Sequence, residues 1–157
     1  MRKITKKFVL AVLLSSAVVG AYAGTTSIQK TTSPPQALIF STGAGFAAGA
    51  YFGLSGSDFP GSLLVANKKL ISIDVQTTSY VGATTDVVSV CYMPPYTTQS
   101  NYCHNEIVPG TSVSLKDFNN LPFGNGASVV IRHNPTGRPN TFLNPAGTES
   151  VTYNYSY

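Results

Sequence analysis

The chain is short of the residues from which most active sites are built. Its 157 residues include no tryptophan, two cysteines, two histidines and two methionines, and only 10% are Asp, Glu, Lys or Arg. Two histidines, His104 and His133, leave little material for acid–base relays or metal centres. No D-x-D-x-D-G calcium loop is present. Gly43-Ala44-Gly45-Phe46-Ala47-Ala48-Gly49 imitates a dinucleotide-binding loop, but no βαβ pattern surrounds it, so no cofactor is expected. Ser27-x-x-Lys30 has the spacing of a serine acyltransferase motif without its companion motifs. No segment beyond residue 23 is apolar for long enough to span a membrane as a helix. None shows a convincing helical period either.

The amino terminus is the best-defined signal. Met1 to Lys7 is basic, Phe8 to Ala21 is uncharged and largely apolar, and Ala21-Tyr22-Ala23 is a small-x-small cleavage site. This is the pattern of a secretory signal peptide over 1–23, with 24–157 as the mature domain, exported to the periplasm or the extracellular space. The formal net charge of +4 includes Arg2, Lys3, Lys6 and Lys7. Without them, Lys30, Lys68, Lys69, Lys116, Arg132 and Arg138 balance Asp58, Asp74, Asp86, Glu106, Asp117 and Glu149. A neutral surface gives no electrostatic reason to bind nucleic acid or anionic lipid.

In an oxidising compartment, Cys91 and Cys103 are expected to form a disulfide. The flanking stretches 86–93 and 102–108 read as a hairpin with Pro94-Pro95 in its turn. Leu70 to Thr78 alternates apolar and polar residues, as does Val151 to Tyr157, and Ala127 to His133 reads as a strand. With Gly and Pro punctuating such runs, the expected fold is all-β: a single antiparallel sandwich with one disulfide-pinned hairpin. Its expected core is Ile71, Ile73, Val75, Val88, Val90, Val113, Leu115, Val129, Ile131, Val151 and Tyr153. Residues 24–36 read as an extended N-terminal arm or edge strand. Residues 41–61, rich in Gly, Ala and aromatics, resist assignment, and 134–147, with three prolines, reads as a long irregular connection.

Eight of the nine tyrosines lie after residue 23, and Tyr92, Tyr96 and Tyr102 flank or occupy the inter-cysteine loop. Tyrosine on a constrained loop offers contact area at low entropic cost, so these three are the expected binding residues, with sheet packing as the alternative. His104, Glu106 and His133 are the residues that a zinc site or a hydrolase would have to use. Two surface or strand-end histidines is the simpler reading, so no catalytic and no metal-ligating residue is assigned.

From Leu70 to Tyr157 the chain resembles the FlhE flagellar accessory family. The resemblance rests on the strand entering Cys91, the second cysteine soon after, Pro109-Gly110-Thr111, Leu121-Pro122-Phe123, Val129-Val130-Ile131 and Val151-Thr152-Tyr153-Asn154-Tyr155. The inter-cysteine loop is longer than in that family, and its tryptophans are absent. The resemblance implies a small exported β-sandwich with a binding or structural accessory role, partnered by an envelope or appendage protein. A glycan- or host-surface-binding module, or a pilin-like adhesin subunit, is the alternative expectation. A small hydrolase comes third.

Overall fold

The computed structural model describes residues 24–46, 49–97 and 102–157. The expected signal peptide and residues 98–101 of the inter-cysteine loop lie outside the described residues. The fold is an all-β sandwich of antiparallel sheets. The first sheet contains β1 (Thr25–Thr32), β11 (Glu149–Ser156), β5 (Lys69–Gln76) and β8 (Ser112–Leu115), in that order. The second contains β4 (Ala50–Gly53), β9 (Ser128–Thr136), β6 (Thr85–Met93) and β7 (Tyr102–Ile107). A small third sheet, β10 (Thr141–Leu143), β2 (Ala37–Ile39) and β3 (Gly45–Phe46), lies at one end.

The two large sheets bury the apolar phase of their strands against each other. β11 contributes Val151, Tyr153 and Tyr155, β5 Ile73 and Val75, β6 Val88, Val90 and Tyr92, and β9 Val129 and Ile131. Nearly all of the expected core is therefore in place, with two corrections. Ile71 is exposed and Val113 only half-buried. At Ile71 the register with β11 slips between Asn154 and Tyr155, so Leu70 turns inward in its place. Such a bulge inserts one residue and inverts the facing that strict alternation would give.

Two segments without a clear reading in sequence also supply structure. The described residues of 41–61 include β3, β4 and a short 3-10 turn, and send Phe52, Leu54 and Phe59 into the core. Phe59 and Phe123 pack edge-on at 6.1 Å, and both meet Tyr155. The expected irregular connection over 134–147 is corrected. β9 continues through Pro135 to Thr136, paired with the start of β6, and β10 follows. Pro135 sits opposite Asp86. Gly45 of β3 lies so close beneath Pro135 that a Cβ there would collide with the Pro135 carbonyl oxygen, so this crossing requires glycine.

The outer faces of the large sheets differ. On the first sheet, Ser27, Gln29 and Thr31 of β1, Ser150, Thr152 and Asn154 of β11, and Ser72, Asp74 and Gln76 of β5 fall in the phase opposite to the core. Asn154 Nδ2 donates to Asp74 Oδ2 at 2.7 Å and to Ser72 Oγ at 2.9 Å, and Ser114 Oγ of β8 donates to Asp74 Oδ1 at 2.5 Å. On the second sheet one outward row crosses all four strands: Tyr51, Val130, Cys91 and Cys103.

Candidate functional site

The Cys91–Cys103 disulfide is formed as expected, between directly paired residues of β6 and β7 whose Cα atoms are 4.0 Å apart. It closes the hairpin on the outer face of the second sheet. The three tyrosines around it do not assemble into one surface. Tyr92 is fully buried, stacks on Phe118 at 5.6 Å and donates its hydroxyl to the Pro122 carbonyl at 2.6 Å. Burial holds its phenol far above the usual range. Tyr92 is thus a core residue, which corrects its expected place on a binding surface. Tyr96 is 88% exposed, at the turn, with a left-handed backbone (φ 61°). Tyr102 is 45% exposed on the edge strand β7.

His104, Glu106 and His133 do not converge on a metal. His104 Nδ1 lies 2.5 Å from Asp117 Oδ2 at the surface. Glu106 is exposed at a left-handed position (φ 63°), where β7 slips register against β6. Among the described residues no cluster of three or more His, Cys, Asp or Glu side chains is arranged to hold a metal ion. Ser27 and Lys30 point to opposite faces of β1, and Lys30 Nζ is bound to Asp58 Oδ1 at 2.5 Å.

Sequence reasoning missed a buried acid–base cluster at the end of the sandwich beside the small sheet. His133 comes from β9, Asp86 from β6 and Glu149 from β11. His133 Nδ1 lies 2.6 Å from Asp86 Oδ2, and Nε2 lies 2.6 Å from Glu149 Oε1. The side chains of His133, Asp86 and Glu149 are 2%, 4% and 0% exposed. The Thr78 N–H also donates to Glu149 Oε1, at 3.3 Å. Asp86 Oδ1 and Glu149 Oε2 are buried without a hydrogen-bond partner.

The electrostatics favour the imidazolium. Burial by itself would lower the His133 pKa, but hydrogen bonds to Asp86 and Glu149, reinforced by their charges, overcome it and raise the pKa from 6.5 to about 9. The ring of Tyr80 packs edge-on against His133 at 5.1 Å, and its hydroxyl donates to the Pro35 carbonyl at 2.5 Å. Burial and the nearby charges of Glu149 and Asp86 push the Tyr80 phenol up to about 12. A general base needs a free nitrogen within reach of a substrate proton. Both His133 nitrogens are engaged and the ring is sealed, so the arrangement is that of a buried ion cluster joining two sheets.

No family model matches the chain, and no curated protein matches it. Among solved structures it is similar to a chain of mud crab tombus-like virus, at 13% identity and a TM-score of 0.40, covering 100% of this chain and 92% of that one. It is similar to cocksfoot mottle virus at 11% identity and a TM-score of 0.39, covering 99% and 94%. It is similar to desmodium yellow mottle tymovirus at 8% identity and a TM-score of 0.36, covering 99% and 92%. Likeness at this level does not carry the viral proteins' role to this chain. The expectation of an FlhE-like envelope accessory function is corrected: no family model and no curated protein matches, flagellar or otherwise, and the solved structures named above are viruses.

Proposed function

We propose that the chain is an exported, non-catalytic structural protein that acts by associating with other protein chains. The observation that carries the reading is the sealing of His133 between Asp86 and Glu149. The described residue cluster best equipped for acid–base chemistry is committed to holding the two sheets together. The outer face of the second sheet supports association. Tyr51 is 62% exposed on this face, and Phe46 and Val87 are exposed at a shallow groove of about 430 Å³ that Ser89, Asn105, Glu106 and Arg132 also line. Exposed aromatic side chains are among the residue types enriched at protein interfaces. The cross-strand disulfide supports export, because such bonds persist in oxidising compartments.

Two measurements test the reading. Amino-terminal sequencing of the protein recovered outside the cytoplasm should begin at Gly24. Light scattering of the purified domain, together with cross-linking in the producing cell, should detect a protein-bound form. A cytoplasmic protein with an intact leader would refute export. A strictly monomeric protein that cross-links to nothing would refute the structural role.

A further inference from the structure

The edges of the sandwich are unequally protected. β8 and β4 offer four residues each, and β10 and β3 fewer. β7 is longer, but its register slips, it carries Glu106, and it is tied to β6 by the disulfide. Short length, bulges and charge are the means by which sandwiches keep edges from pairing. β1 has none of them. It runs for eight residues, Thr25–Thr32, in unbroken register with β11, without proline. Its one charge, Lys30, lies in the inward phase and is bound by Asp58.

The phase of the ladder identifies the groups left open. Gly24 and Tyr157 exchange both backbone hydrogen bonds, N to O at 3.1 Å and 3.0 Å. Hydrogen-bonded and non-hydrogen-bonded pairs alternate in an antiparallel ladder. Thr26, Ile28, Lys30 and Thr32 therefore bond to β11, whereas Thr25, Ser27, Gln29 and Thr31 direct their N–H and C=O groups away from the sheet.

We propose that this edge pairs with β1 of a second copy, antiparallel about a two-fold axis through Ile28, joining two four-stranded sheets into one of eight strands. The inference rests on the structural reading above and names its partner and surface. The register that uses all four open residues pairs Thr25 with Thr31 and Ser27 with Gln29 of the other copy, reciprocally, as a two-fold interface requires. It also places Ile28 opposite Ile28 in a non-hydrogen-bonded pair, where side chains approach most closely. Ile28 is half-buried against the core, so this contact covers what remains exposed. Self-pairing brings no like charges into opposition, since each Lys30 keeps its own Asp58.

The experiment is sedimentation equilibrium on residues 24–157 and three variant sets. Gln29→Pro removes an outward N–H and no bond to β11, so the circular dichroism should be unchanged while the dimer Kd rises at least tenfold. Ser27→Lys/Gln29→Lys leaves the backbone intact, sets four cations around the axis and should have the same effect. An equimolar mixture of Ser27→Cys and Gln29→Cys should form a disulfide-linked heterodimer on mild oxidation, whereas Ser27→Cys alone should not. The described native cysteines are already paired and do not compete. A wild-type monomer, or a dimer with unchanged Kd in both edge variants, would overturn the proposal. If association instead fails in Tyr51→Ser, the edge proposal falls and the structural reading stands.

Discussion

His133 Nε2 and Glu149 Oε1, 2.6 Å apart, join strands that belong to different sheets. Most of the contact between the two layers is apolar; here they are tied by an ion pair that solvent does not reach. Removing the imidazole leaves two buried carboxylates facing each other. We expect His133→Ala to lose about 3–5 kcal/mol of stability, the usual consequence of breaking a buried pair from one side, read as a fall in the urea midpoint at pH 7. A change below about 1 kcal/mol would show that the cluster is not a structural tie.

The same cluster predicts an alkaline limit. His133 has a folded pKa raised from 6.5 to about 9. Its contribution is fully present below the unfolded value of 6.5 and is lost as pH rises through about 9. The loss between those limits amounts to at most about 3 kcal/mol, at 1.36 kcal/mol per pH unit. Denaturation midpoints at pH 6 and pH 10 should differ in that direction, and Asp86→Asn should lower the histidine pKa seen by NMR titration and shrink the difference.

Two neighbouring tyrosines on β11 should respond oppositely to the same chemical change. Tyr153 donates its buried hydroxyl to the Phe52 carbonyl at 2.5 Å. Tyr155 buries a hydroxyl without a partner. Tyr153→Phe strands a buried acceptor and should cost about 1–3 kcal/mol, while Tyr155→Phe removes an unpaired polar atom and should be neutral or stabilising. Thermal melts of the two variants decide the matter directly.

Reducing the disulfide should lower stability without changing the fold. Cys91 and Cys103 are 12 residues apart, and a loop of that size is worth about 3 kcal/mol in the chain-entropy model. A urea titration with and without reductant measures it, and a Cys91→Ser/Cys103→Ser variant should match the reduced protein.

The alternation of β5 and β11 is legible because each buries one face, and β6 and β9 are legible from their β-branched runs. The exposure of Ile71 is not legible because a bulge in register leaves no trace in the pattern of a single strand. Residues 41–61 are opaque because Gly45, under Pro135, and Gly49, against Val130, serve close crossings that only the fold reveals. The ion cluster did leave a signature. Asp86 stands in phase with Val88 and Val90, His133 with Val129 and Ile131, and Glu149 with Val151 and Tyr153. Three ionisable residues in the apolar phase of three strands are compatible with a shared buried site. Which carboxylate meets which nitrogen depends on strand order, which the alternation does not encode.

The pairing of β1 with β11 also sets a timetable. A polypeptide is made amino end first, so Thr25–Thr32 emerges while its partner, Glu149–Ser156, is still unmade. Until the last strand arrives, β1 lacks its sheet neighbour and the layer that β11 shares with β5 has a gap. Closing so long a loop makes this a late and slow event in folding. For that interval the nascent domain depends on whatever binds unpaired strands, and its greatest exposure to misassembly falls before folding is complete.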